Sequence, residues 1–335
     1  MVSHAAGRAF RLGVTLTALG LGCGGVLDGG HDSPEGMLPV DHRNPIVILQ
    51  DDWSGDWLGE MAVLLANTGG PPIAGLIVTD STYWPDLAAN TAGWKDFLAA
   101  AQASGLKNLP EVTPSSNMPL VRPANNQIDS TMSNDSAGGN LIVRLSKELG
   151  RPSRPLVVVV GTSLTDAADA YLIDRSVAER IVVVAALGSY RAPNGLMGTP
   201  NGDMDPWAGW IVSQRFRFIQ AATWYDQFGD VTMAQVSSLP PNPLGTWMAK
   251  KRSKILMETT AADQIALLSV ALPNFVEGVQ RVSPDVAAGF DSAQGPTLVP
   301  DERGDDLVIT RIGAPLATSR LWDLLLKSST FGSPP

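Results

Sequence analysis

Histidine is nearly absent from this chain of 335 residues: the three present are His4, His31 and His42, so a folded body that begins near Pro45 contains none. A Ser-His-Asp or Cys-His hydrolase needs an imidazole as base, and zinc sites usually draw on His or on several Cys. Neither can be assembled beyond Pro45. Cysteine is scarcer still, and the single Cys23 excludes both a disulfide within one chain and CxxC metal knuckles. Positive charge is also short, with 24 Lys+Arg against 33 Asp+Glu and a net charge of -9. That balance offers no broad basic surface to a nucleic-acid backbone, so nucleic acid is not an expected partner. What the chain does have is 44% hydrophobic and 17% charged residues. Its length and apolar content suffice for one large globular domain or two small ones and exclude disorder as the main state.

The first forty residues read as an address and a tether. Arg8 and Arg11 precede an uncharged stretch, Leu12 to Gly22, that is too short to span a bilayer at about 1.5 Å rise per residue but fits a signal-peptide core. It ends at Gly22-Cys23-Gly24, which resembles the lipobox of bacterial lipoproteins, in which the cysteine becomes residue one after cleavage and carries lipid. Gly20 stands where the lipobox favours Leu. The expectation is a signal peptide over 1–22, a Gly-rich flexible tether over 23–44, and an exported domain held at the bacterial envelope by lipid on Cys23 alone. An ordinary secretory signal releasing a soluble or periplasmic protein is the alternative.

From 45 onward, short β-branched runs recur at PIVIL (45–49), IAGLIV (73–78), LVVVV (156–160), IVVVAAL (181–187) and LVITRI (307–312). Continuous apolar runs bounded by Gly, Pro or Asp are typical of strands buried on both faces. Helical spacing fills 58–67, 87–103, 139–149, 164–172 and 246–257 between them. The alternation predicts a single α/β domain over 45–335, an open and mainly parallel sheet with helices on both faces, in which ligands bind beyond the carboxyl ends of the strands. Pro-rich segments at 193–206 and 239–243 read as long surface loops able to cover such a site.

The residues just after the runs are therefore the informative ones. The first run leads into Gln50-Asp51-Asp52-Trp53-Ser54-Gly55-Asp56-Trp57, with three carboxylates within six residues. Carboxylates crowd unfavourably unless a cation, a helix N-terminus or sugar hydroxyls receive them. Helix capping by Asp56 with solvated Asp51 and Asp52 is the plain alternative. The later runs lead to Thr79-Asp80-Ser81-Thr82, Gly161-Thr162-Ser163 and Gly188-Ser189-Tyr190. Six tryptophans, at 53, 57, 84, 207, 210 and 247, fall near loop ends. They suit either an aromatic wall around a ligand or core filling beneath the loops. Arg122 in PLVR is a candidate for pinning its loop.

Taken in order, Asp52-x-x-x-Asp56, GLIVTDST (75–82), PLVR (119–122), GTSLTDAADA (161–170), IVVVAALGSY (181–190), Asn194, Asn201, Asp205-Pro206 and Ala262-Asp263 resemble the inosine-uridine-preferring nucleoside hydrolase family and its nucleoside-hydrolase-like relatives. The resemblance runs over roughly 45–327. It implies a Rossmann-like α/β core, a Ca²⁺ at the pocket floor and hydrolysis of the N-glycosidic bond of ribonucleosides by a metal-bound water. By position, Asp52 matches the calcium-binding base and Asp56 a ribose-hydroxyl ligand. Gly161 matches a backbone-carbonyl metal ligand and Asp263 the distant carboxylate ligand. Thr82 stands near a ribose-binding asparagine, while Asn194 and Asn201 match two further sugar-binding asparagines. Family members are often dimers or tetramers, so a homo-oligomer is among the expected partners, beside a small nucleoside or sugar.

Two departures bear on activity. The family pattern approximates Asp-x-Asp-x-x-x-Asp-Asp, and this chain carries Gln50 at the first position and Trp57 at the last, normally a calcium ligand. Asp51 is a candidate replacement ligand, although neighbours on a strand face opposite ways. Ala262 stands where many members carry a leaving-group histidine. Asp203, Asp205, Tyr190, Tyr225 and Arg191 are the remaining candidate acids. The rival to a hydrolase is therefore a non-catalytic sugar- or nucleoside-binding lipoprotein that has lost a competent calcium site.

Overall fold

A computed structural model describes residues 38–51, 58–116, 118–186, 188–192, 195–221, 237–252, 263–287, 289–290 and 296–313. The expected signal peptide and Cys23 lie outside these residues. Among the described residues no helix is long and apolar enough to cross a membrane.

The β-branched runs form the centre of one sheet. Strands β1 (Ile46–Gln50), β4 (Leu156–Val160) and β5 (Ile181–Ala185) are buried at every position. Strands β2 (Ile73–Val78), β3 (Val112–Pro114) and β8 (Arg217–Gln220) flank them. β6 (Gly188–Ala192), β7 (Gly195–Thr199), β9 (Val276–Pro284), β10 (Thr297–Pro300) and β11 (Asp306–Ile312) complete an eleven-stranded sheet of order β3-β2-β1-β4-β5-β8-β11-β9-β10-β6-β7. From β3 to β11 every pairing is parallel; the pairs β11–β9, β9–β10 and β6–β7 are antiparallel.

Period-two alternation divides the interior into two cores, as a sheet covered on both faces requires. Ile46, Ile48, Val157, Val159, Val182 and Val184 pack with helices α1 (Leu58–Asn67), α2 (Leu87–Ala103), α6 (Pro243–Arg252) and α7 (Gln264–Ala271). Val47, Leu49, Val158, Val160 and Val183 pack with α3 (Ala137–Leu149), α4 (Thr165–Ile173) and α5 (Pro206–Arg215). Helices thus cover both faces of an open, mainly parallel sheet. Side chains set the helix starts: Asp86 accepts from Ala89 N, Ser136 from Gly139 N and Asp205 from Ala208 N, each satisfying an amide the first turn leaves open.

Two expectations are corrected. Residues 193–206 are not one long loop: Gly195–Thr199 pairs antiparallel with Gly188–Ala192, Pro200–Asp203 forms a 3₁₀ turn, and α5 begins at Pro206. Glycines at 188, 195 and 198 removed the β-branched signal that marks the other strands. The Pro-rich segment 239–243 is buried at Leu239 and Asn242, and the Asn242 side chain accepts from Gly245 N at 2.8 Å to start α6. Proline there opens a helix, where its missing N–H has no cost.

Three of the buried carboxyl groups are held above the usual carboxylate range. Burial, with a lesser push from Asp305, raises Asp306 at the head of β11 to about 7 although it accepts from Phe218 N at 2.9 Å. Burial raises Asp166 to about 6 and raises Asp205 as well. A carboxyl with a folded pKa above its unfolded value favours the native state at low pH, and that contribution is lost as pH rises through the folded pKa. The thermal midpoint is therefore expected to fall as pH rises from 5.5 to 8. In Asp306→Asn the slope above pH 6 should be shallower; an unchanged slope would contradict the burial account.

Candidate functional site at the carboxyl edge

Five hydrogen bonds of the parallel ladder bring six strand ends, those of β1, β2, β3, β4, β5 and β8, to one level. Thr79 N donates to Gln50 O, Gly161 N to Leu49 O, Ser115 N to Val78 O, Ala186 N to Val160 O and Ala221 N to Ala185 O. The residues after β1, β2, β4 and β5 therefore open on one edge. β1 and β4 are neighbours while the chain order reverses between them, which is the switch point where open α/β sheets bind ligands.

On one side of β1 the centre is Gly161. A Cβ there would lie 2.3 Å from Gln50 Oε1, 2.8 Å from Leu58 Cδ2 and 3.3 Å from the Asp263 Cβ. Only glycine fits so close an approach. Asp263 precedes α7 yet makes no side-chain cap to it. Its Oδ1 instead accepts from Asn201 Nδ2 at 3.3 Å, and the same nitrogen lies 3.4 Å from Ala186 O. Three of the residues named from sequence, Gly161, Asp263 and Asn201, are thus brought together, with Gln50 as a fourth member.

On the other side, the Thr79 and Thr162 hydroxyls lie 3.4 Å apart and Asp51 is buried. Gln50 is the last position of β1 paired with β2, at Val78, and Asp51 is the residue beyond it. The Asn90 side chain donates to Thr79 O at 3.1 Å and to Trp84 O at 3.0 Å, and Ser81 Oγ accepts from Trp84 N at 3.0 Å. This turn carries Thr82 on its exposed side. Asp52, Asp56, Trp53, Trp57, Asn194 and Ala262 lie outside the described residues.

Buried carboxylates on α4 and at the head of α5 hold the segment that leads from β3 to α3. Asp205 Oδ2 accepts from Leu120 N at 2.9 Å and from Thr165 Oγ1 at 2.8 Å. Asp169 accepts from Ser133 Oγ, Asn134 N and Ser136 N, each at 2.8 Å. Asp166 Oδ1 accepts from Ser115 Oγ, which itself accepts from Gly138 N. Hydrogen bonds on a carboxylate favour its charged form, but for Asp166 and Asp205 burial outweighs them. Asp205 is one of the candidate acids named from sequence, whereas Asp166 and Asp169 have no role assigned there; two acids three apart in an otherwise apolar helix were the available signal. Arg122, in the same segment, stacks 4.3 Å from the Phe290 ring centroid and 5.7 Å from that of Trp207. Trp207 Nε1 donates to Thr131 Oγ1. Arg122 does pin its loop, Trp207 fills space beneath it, and Trp247 packs on Phe97 between α6 and α2.

Neither family models nor curated proteins give a match to this sequence. Among solved structures the chain is similar to an inosine-guanosine nucleoside hydrolase, with a TM-score of 0.60 at 13% identity over 84% of this chain and 98% of that one. It is similar to a plant nucleoside hydrolase, with a TM-score of 0.57 at 13% identity over 85% of this chain and 98% of that one. It is also similar to the type III effector protein XopQ, solved in complex with adenosine diphosphate ribose, with a TM-score of 0.54 at 12% identity over 86% of this chain and 94% of that one. The α/β fold is nucleoside-hydrolase-like.

The close approach at Gly161 gives a direct check on the site. Gly161→Ala should destabilise the chain by about 1–3 kcal/mol, the usual cost of overpacking, because the new methyl meets Gln50, Leu58 and Asp263 together. Denaturant titration measures it. Wild-type stability in this variant would mean that the three side chains do not converge on Gly161.

Proposed function

We propose that this chain hydrolyses the N-glycosidic bond of a ribonucleoside or related glycoside, with Asp52 taking the proton from the attacking water and Asp263, at the start of α7, closing the site. The observation that carries this reading is the meeting of Asp263, Gly161, Gln50 and Asn201 at the switch point of the fold shared with the two nucleoside hydrolases.

The described donors around Gly161 are all oxygens: the Asp263 carboxylate, the Gly161 carbonyl and the Gln50 amide. That chemistry suits Ca²⁺, a hard cation with oxygen ligands, in kind. Asp52, Gly161 and Asp263 would hold it, with Asp51 as the candidate replacement for the carboxylate that Trp57 displaces. Calcium bound there would supply Lewis acidity that makes water easier to deprotonate. The chain's own groups do the rest. The amide of Asn201 orients Asp263. Asp56, Asn194 and Thr82 are the proposed partners of the sugar hydroxyls, and the carboxylates favour the positive charge that develops on the sugar ring. That XopQ was solved in complex with adenosine diphosphate ribose supports a small ribose-bearing ligand. Lipid on Cys23 would hold the domain at the envelope surface.

A second reading has its own support. Neutral amides meet at Gly161 and Asp263, and Trp57 and Ala262 replace an acid ligand and a leaving-group acid, as a sugar-binding protein without turnover would tolerate.

Release of reducing sugar from inosine and uridine separates the two. Turnover by the full chain should be lost on chelation and restored by Ca²⁺, and Asp263→Asn should lower kcat by about 100-fold or more with the fold intact by circular dichroism. Ribose binding without turnover would establish the non-catalytic reading. Turnover that survives both chelation and Asp263→Asn would refute the assigned site.

A further inference from the structure

At the opposite edge of the sheet, where β8 and β11 begin, a cavity of about 490 Å³ lies between the junction of α5 with β8 and the turn that joins β10 to β11. Arg215 ends α5, Arg217 starts β8, and Arg303 stands on the facing turn. All three line the cavity and are exposed. None has a carboxylate within ion-pairing distance among the described residues, although the chain as a whole is acidic at -9. Arg215 lies 5.9 Å from the Tyr171 ring centroid, which restrains its guanidinium. Gln214 also lines the cavity, and its amide nitrogen is buried with no hydrogen-bond partner.

Two carboxylates, Asp305 and Asp306, line the same cavity, and Asp301 stands beside Arg303. Asp306 accepts from Phe218 N, and Asp301 accepts from Ser283 Oγ and Arg303 N. Asp305 is exposed. The turn itself is fixed: Gly304 N donates to Asp301 O, and Gly304 O accepts from Arg281 at 2.9 Å. Ser213 and Ser283 line the cavity too, yet Arg215, Arg217 and Arg303 make no ion pair with either lining carboxylate, so three fork-shaped donors on a rigid turn and a strand start keep unused capacity for acceptor oxygens. Phosphate supplies them in the geometry that guanidinium groups match in pairs.

We propose that this cavity is a second binding site, distinct from the carboxyl-edge site, which takes the phosphate or diphosphate group of a small molecule between Arg215, Arg217 and Arg303. Its volume falls in the range of small-molecule pockets, roughly 300–1,000 Å³, so it has room for more than the anion alone.

Calorimetric titration of the full chain with inorganic pyrophosphate in about 0.15 M KCl tests this, since that salt screens charges farther apart than roughly 8 Å. Saturable binding is expected. Arg217→Gln and Arg303→Gln should each weaken it about tenfold, as expected for loss of a charged hydrogen bond. Arg144→Gln removes an equal charge from a surface pair with Glu148 and should leave affinity unchanged. No saturable binding by the wild-type chain, or equal weakening in all three variants, would overturn the proposal. The outcome is independent of any turnover at the carboxyl edge.

Discussion

The site depends on the register of β1 between β2 and β4. All five of its residues are buried and pair with β2, and Ile46 to Leu49 pair with β4 as well, so after the irregularity between Ile46 and Val47 the register is held from both sides up to Leu49. Side chains alternate with period two, and a shift of one residue would turn Gln50 away from Gly161 and bring Asp51 to it. Pairing of Leu49 with Val160 and of Gln50 with Val78 is what sets an amide, and not a carboxylate, against the Gly161 backbone. The apolar runs that look least informative in the sequence therefore decide which polar group faces the ligand side.

A second layer of order comes from carboxyl groups that burial makes costly. Asp205, Asp166 and Asp169 receive hydrogen bonds from a segment with little regular structure between β3 and α3, and from the open amides that begin α3 and α5. An unpaired amide buried in this region would cost as much as a lost hydrogen bond, and a loop of this length needs such anchors to keep one shape. Arg122 stacked on Phe290 and Trp207 fixes the outer side of the same segment. One edge of the sheet is thus framed by rigid polar contacts while its centre holds Asp263 and the two threonines, an arrangement suited to gripping a hydroxyl-rich ligand.

Much of the fold was legible. The runs at 45–49, 73–78 and 156–160 are the central strands because β-branched residues buried on both faces leave an unambiguous pattern, and the helices at 58–67 and 87–103 match theirs residue for residue. β6 and β7 were hidden by glycine, and β8 by its brevity and the exposed Arg217. In the site, Gly161, Asn201 and Asp263 were named from their order along the chain, and the fold brings them together across long separations. Gln50 was noted as a departure from a pattern, but its contact with Gly161 follows from strand register, which no local motif encodes. The anchoring by Asp205 and Asp169 escaped for the same reason: their partners include backbone amides 33 to 85 residues away.

The central claim is that a sugar sits at the carboxyl edge of β1 and β4, within reach of Asp263. A crystal structure of the full chain soaked with ribose and Ca²⁺ tests it most directly. The account predicts density for the sugar ring beside Asp263 and Asn201, with a hydroxyl within hydrogen-bond distance of the Asp263 carboxylate. An ordered sugar bound away from Gly161 and Asp263, or an empty carboxyl edge at saturating ribose, would contradict it.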